Sequence, residues 1–138
     1  MRIVFPDPLI WQSGLDFGLQ AVGELQRQRA AFEFSLPDEG PMLEAATFAI
    51  IQYQLQTKVH WVHRWPRSFA AFDVAIFPRV ASMETGSMTQ ILDHDVAVLS
   101  SDPEFKSAKV NYHRFARRDW QSLAGILNVL MKPSMQTG

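Results

Sequence analysis

Phe72-Asp73-Val74-Ala75-Ile76-Phe77-Pro78, then Glu84-Thr85-Gly86, then Val96-Ala97-Val98-Leu99-Ser100-Ser101-Asp102 is the stretch from which the fold reads. Residues 73–77 are nearly all apolar, as a strand covered on both faces must be. The Glu-Thr-Gly turn follows, and Met88, Ile91 and Leu92 then recur at helical spacing. Residues 96–99 form a second apolar strand. Strand, carboxylate-bearing turn, helix and strand make one βαβ unit, and a parallel sheet with right-handed crossovers is the way to build it.

The same alternation extends in both directions. Residues 2–5 are a short β-rich run stopped by Pro6 and Pro8. Gly14 opens a helix whose Leu15, Leu19, Val22 and Leu25 share one face, with Gln20, Glu24 and Arg27 on others. Residues 32–36 alternate as a strand does. Pro41 suits the first position of a second helix, whose face is Leu43, Ala46, Ile50 and Tyr53. Residues 59–63 are a third strand, with Trp61 expected in the core. Residues 68–72 are expected to form a short helical turn, and 110–115 a last edge strand. Asp119 is placed to cap a final helix with Trp120, Leu123, Leu127 and Leu130 as its buried stripe, ended by Lys132 and Pro133. The expectation is a single α/β domain over residues 1–132: a Rossmann-like, three-layer arrangement with a mostly parallel sheet of about six strands. Residues 133–138 are expected to be a disordered tail.

Composition sets bounds. The chain has 138 residues, is 47% hydrophobic and carries a net charge of -1, so no broad field attracts nucleic acid. Arg114, Arg117 and Arg118 do cluster, either as a solvated helix flank or as an anion site. There is no cysteine, which removes disulfides and thiolate metal sites and fits a cytoplasmic protein. No segment approaches the roughly 20 apolar residues that span a bilayer. His60 and His63 lie three apart in a strand, so they point to opposite faces and no shared metal is expected. Neither a glycine-rich phosphate loop nor a nucleophile elbow is present.

Gly14-Leu15-Asp16 with Leu19-Gln20-Ala21-Val22, Gly40-Pro41-Met42-Leu43-Glu44, Lys58-Val59-His60-Trp61-Val62, the segment from Phe72 to Pro78, and Asp119 with Leu123 and Ile126 follow one another in this order. Together they resemble the C-terminal, donor-binding domain of GT-B glycosyltransferases, in particular the family-4 retaining group. The resemblance covers nearly the whole chain and implies the strand order 3-2-1-4-5-6. It also implies a nucleotide-sugar or nucleoside diphosphate as ligand, no metal or other cofactor, and a second, acceptor-binding domain completing the cleft.

Carried onto this sequence, the resemblance makes Glu84, Thr85, Gly86, Ser87 and Gln90 the donor-binding candidates after the fourth strand. His63 and Arg64 join them at the end of the third, where this fold meets the nucleobase. Glu84 stands for the glutamate that holds the sugar; alternatively it is a helix-capping carboxylate. The ribose glutamate falls on Gln90 or Leu92, and Gln90 can still hydrogen-bond a hydroxyl but is not a carboxylate. The family's diphosphate-neutralising arginine and lysine fall near Pro8 and at Ser13, which are uncharged. A departing diphosphate would lack the electrostatic support such chemistry depends on. The expectation is therefore a stand-alone glycosyltransferase-like domain that is non-catalytic by itself, a nucleotide-sugar-binding or protein-interaction module. It would work as a homodimer through apolar residues such as Trp11, or with a partner chain that supplies an acceptor domain. The alternative is the donor-binding half of a split or truncated retaining glycosyltransferase that transfers hexose.

Overall fold

The computed structural model describes residues 1–132; the expected tail, 133–138, lies outside them. Six strands form one all-parallel sheet. In chain order the elements are β1 (Arg2–Val4), a 3-10 turn (Trp11–Ser13), α1 (Leu15–Arg27), β2 (Glu33–Pro37), α2 (Leu43–Gln52), β3 (Val59–Val62), β4 (Val74–Phe77), α3 (Gly86–Leu92), β5 (Ala97–Ser100), β6 (Tyr112–Arg114) and α4 (Trp120–Met131). The spatial order is β3-β2-β1-β4-β5-β6. The chain thus winds outward from β1 in one direction, crosses back, and winds outward from β4 in the other. The ends of β1 and β4 flank the point of reversal, where open α/β sheets take their ligands.

The central strands are apolar because both faces are covered. Along β4, Val74 and Ile76 enter the cluster beneath α1, α2 and α4, while Ala75 and Phe77 enter the cluster beneath α3. Ile3 and Val4 of β1 divide in the same way. Leu15, Leu19, Val22 and Leu25 of α1 are fully buried, each contributing about 1.5–3 kcal/mol by leaving water. Asp119 caps α4 as its position suggested, accepting from Ser122 N at 2.9 Å.

Four details differ from the sequence reading. Trp61 is 40% exposed rather than core, because β3 is an edge strand and has a neighbour on one side only. Helix α2 starts at Leu43 rather than Pro41: the Met42 N–H donates outward to Leu9 O (3.0 Å) and holds the chain in a turn. Residues 68–72 form a turn closed by Phe72 N–H to Phe69 O (3.0 Å), not a helix. There Ser68 Oγ accepts from Ala70 N–H (3.1 Å), a local bond that competes with helical pairing. Trp65, Phe69 and Phe72 cover the second face in place of a crossover helix, with ring centroids 5.6 and 6.0 Å apart. The last strand is shorter than expected, spanning only Tyr112–Arg114.

Candidate functional site

At the C-terminal edge of the sheet, each of three adjacent strands delivers one charged residue to a single buried spot. Asp7 follows β1, Arg79 follows Pro78 at the end of β4, and Asp102 lies just beyond β5. Arg79 is fully buried, and Asp7 and Asp102 are 3% and 1% exposed. The guanidinium grips Asp7 with two parallel bonds, Nε to Oδ2 at 2.7 Å and Nη2 to Oδ1 at 2.8 Å. Nη1 donates to Asp102 Oδ2 at 2.9 Å. The other Asp102 oxygen accepts from the N–H groups of Glu104 (2.9 Å) and Phe105 (3.1 Å). Ser101 Oγ donates to the Arg79 carbonyl at 2.9 Å, and the Phe77 ring lies 5.1 Å from the guanidinium carbon.

The electrostatics follow from this geometry. Burial pushes the Asp7 carboxyl above its ordinary value, and the fork from Arg79 offsets that only in part. Burial also opposes ionisation of Asp102, but Arg79 and two backbone N–H groups outweigh it and hold that carboxyl below its ordinary value. Desolvation works against the Arg79 cation, yet its two carboxylates hold its pKa above the ordinary value. The Arg79 cation at this edge of the sheet is thus already neutralised from within.

The loop between β1 and α1 closes down on the same spot. Gly14 has φ 70°, and a Cβ there would lie 1.6 Å from Pro78 O, so only glycine fits. Ser13 is buried with its hydroxyl donating to Ile10 O at 2.6 Å. Asp7 is the one charged residue among positions 6–14, and it belongs to the triad. Openings along this edge, among the described residues, include the following two. One of about 310 Å³ lies at the start of α1, lined by residues including Trp11, Asp16, Met42 and Arg118. The other, about 520 Å³, is lined by Ser101, Pro103, Phe115 and two arginines, Arg114 and Arg117. Arg114 Nη1 donates to the carbonyls of Asp102 (2.7 Å) and Phe105 (3.1 Å), and Arg117 Nη1 to that of Val80 (3.1 Å). Both arginines therefore tie loops together at the crevice rim.

The candidates from sequence fall into separate groups. Glu84 accepts from Gly86 N–H (2.8 Å) through one oxygen and from Ser87 Oγ (3.1 Å) through the other, closing the first turn of α3. The Thr85 carbonyl accepts from the Thr89 N–H and hydroxyl within the same turn. Gln90 lies further along α3, its amide 3.5 Å from Arg67 O. His63 and Arg64 are exposed at the end of β3, where His63 Nδ1 approaches Asp38 at 3.3 Å. No hydrogen bond or ion pair among the described residues joins them to Glu84 or Gln90. His60 pairs separately with Glu33 at 2.7 Å. Sequence reasoning missed Arg79. The signal available was a lone arginine embedded between Ile76-Phe77-Pro78 and Val80, with an aspartate just after each of two other apolar strands.

No family model and no curated protein sequence matches this chain. Solved structures do. The lipopolysaccharide outer core galactosyltransferase WaaB in its apo form superposes over 94% of this chain with a TM-score of 0.77 and 10% identity. A glycosyltransferase from Rickettsia africae superposes over 94% with a TM-score of 0.75 and 13% identity. This chain spans only 40% and 37% of those two proteins. The isolated C-terminal domain of a glycosyl transferase group 1 family protein (LpcC) from Francisella tularensis gives 0.73 with 14% identity, over 94% of this chain and 73% of that one. The chain therefore has the fold of the C-terminal half of a GT-B glycosyltransferase.

Proposed function

We propose that this chain is a glycosyltransferase-like module that does not transfer sugar by itself and works by binding, as a protein-interaction domain. The observation that carries this reading is the Asp7–Arg79–Asp102 triad. Stabilising a leaving diphosphate requires donors aimed at the charge that develops. Here the guanidinium that follows β4 spends its donors on two buried carboxylates, and the loop after β1 offers no cation in its place. Glu84 fits the same reading, since its oxygens are engaged in closing α3. The partner would be a second copy or a chain supplying an acceptor domain. A cytoplasmic setting belongs to the same proposal and fits the lack of cysteine; no helix among the described residues is long and apolar enough to cross a membrane.

The test is a thermal-shift panel with the diphosphates of uridine, guanosine, adenosine and thymidine and their sugar conjugates. A ligand at 100 times its Kd stabilises the folded state by about 2.7 kcal/mol, a shift of several degrees for a domain of this size. We expect no shift. A rise with one nucleotide, lost in Glu84→Ala, would overturn the reading as a protein-interaction domain and leave a working donor-binding site. A second reading is the donor-binding half of a split retaining glycosyltransferase. Its support is the pair of guanidiniums on the 520 Å³ opening, an electropositive rim suited to an anionic ligand. It predicts nucleotide binding that appears when a partner chain is added.

A further inference from the structure

We infer that the outer edge of β6, with the trough between β6 and α4, is a docking surface for an extended segment of a partner chain, apolar along its length and acidic at one end. This deepens the interaction-module reading, on which it rests, by naming the surface and the chemistry of the partner.

The backbone of β6 is open on its outer side. The Asn111 carbonyl accepts from Val98 N–H (2.8 Å), and Phe115 N–H donates to the Ser100 carbonyl (3.1 Å). Val98 and Ser100 stand opposite Tyr112 and Arg114 in the register. The odd-numbered residues thus bond to β5, and the backbone groups of Tyr112 and Arg114 point away from the sheet. Tyr112 N–H is taken by the Lys109 carbonyl (3.1 Å), whereas the Arg114 N–H and the carbonyls of both residues meet no partner among the described residues. An edge of this kind accepts an added strand.

Beside it, an opening of about 620 Å³ runs between β6 and α4, lined by residues including Phe115, Gly125, Ile126, Val129 and Leu130. Val129 is 66% exposed there. Gly125 is the more telling residue. It lies inside α4 (Trp120–Met131), where glycine weakens a helix relative to alanine, yet a Cβ at this position would meet nothing within 4 Å. Packing within the chain therefore does not require the glycine. A bare backbone at this point keeps the trough wide for something that enters it. From Ser122 to Leu130 the helix rises about 12 Å, the length of about four residues of strand.

Charge fixes the polarity of the occupant. The trough and the 520 Å³ opening share Arg114, Phe115 and Ala116 as lining, so the apolar stretch runs into the cationic one at the C-terminal end of β6. Arg27, Arg79 and Lys109 each pair with a carboxylate, but Arg114 and Arg117 form no ion pair among the described residues. Each is instead held by Nη1 on main-chain carbonyls, which pre-positions the remaining nitrogens. Guanidiniums held in this way match carboxylates. A second copy supplies no such strand, because the two sheet edges of this chain, β3 (Val59-His60-Trp61-Val62) and β6 (Tyr112-His113-Arg114), carry no carboxylate. The occupant is therefore a different chain.

Fluorescence anisotropy of the full chain with two synthetic peptides tests this, one reading Thr-Val-Thr-Ile-Glu-Glu and the other ending in Lys-Lys instead. We expect saturable binding of the acidic peptide, weakened by added salt, and binding of the basic one weaker by about tenfold. Val129→Glu and Arg117→Gln should each weaken the acidic peptide by about tenfold, and Ile51→Lys on α2 should leave it unchanged. Gly125→Ala should raise the melting temperature and still weaken the peptide, a split that a purely structural glycine would not give. On binding, the Arg114 amide should become protected from hydrogen exchange. Absence of binding, equal binding of both peptides, or binding that Gly125→Ala, Val129→Glu and Arg117→Gln leave intact overturns the inference. So does a dimer in sedimentation that Val129→Glu dissolves, since a second copy would then be the occupant. The nucleotide panel reads the non-catalytic proposal separately, so either can fail without the other.

Discussion

Replacing Arg79 by methionine tests the account of the crevice most directly. The substitution keeps the apolar stem and removes the charge, leaving Asp7 and Asp102 facing each other with 3% and 1% of their surface in solvent. Removing one member of a buried ion pair costs about 3–5 kcal/mol, because the remaining charge is left uncompensated. Asp102 keeps the N–H groups of Glu104 and Phe105; Asp7 has no other partner among the described side-chain hydrogen bonds. Asp7 should therefore take up a proton in the variant, which holds the loss to about 3–4 kcal/mol, near the lower end of that range. The assay is urea unfolding followed by tryptophan fluorescence at pH 7 and again at pH 5. The loss should be smaller at pH 5, where an orphaned carboxyl protonates more readily. Adding Asp7→Asn to Arg79→Met should recover stability rather than add to the damage, a coupling that only a shared network produces. A loss below about 1 kcal/mol at pH 7 would show that the triad does not hold these strands together, and the proposed function would lose its main support.

Other consequences follow from the same geometry. Asp102 sits below its ordinary value of 3.8 in the fold, so its contribution is complete above that value and is lost as pH falls through the lowered one; Asp102→Asn should flatten the acid limb of a stability–pH curve below about pH 4. The raised Asp7 carboxyl acts with the opposite sign, its contribution being lost as pH rises through its elevated folded value; Asp7→Asn should show less of that decline in the same titration. Gly14→Ala places a methyl group 1.6 Å from Pro78 O at φ 70°; a loss of about 3 kcal/mol is expected from left-handed strain plus overpacking, read as a lower urea midpoint at unchanged slope. Asp119→Ala removes the cap of α4 and should lower stability by about 1 kcal/mol, with Asp119→Asn retaining most of it; equal losses in both would mean that the cap geometry is not what matters.

How much of this was legible depends on where the information sits. Residues 73–77 and 96–99 announced buried parallel strands because apolar side chains on both faces leave a continuous hydrophobic run. Asp119 announced a helix start because the cap and its N–H partner are three residues apart. Trp61 misled, because hydrophobicity does not tell an edge strand from a central one; that depends on which strand lies alongside. Glu84 carried two readings, and its bonds to Gly86 and Ser87 at the start of α3 are compatible with either. Arg79 was hidden for a related reason. Its partners lie 72 residues before it and 23 after, so a lone arginine in sequence gains meaning only once β1, β4 and β5 are side by side.

The triad also constrains how this chain could change. Freeing Arg79 for a ligand requires Asp7 and Asp102 to lose their charge as well, and Arg79 alone cannot leave without stranding both. Neutralising either aspartate first strands part of the arginine instead. Every single step that dismantles this triad therefore passes through a less stable protein, while the three changes together need not be destabilising. Such a lock behaves as a ratchet in sequence space: one-residue drift is held away from an occupied diphosphate site even though the backbone that could house one remains in place.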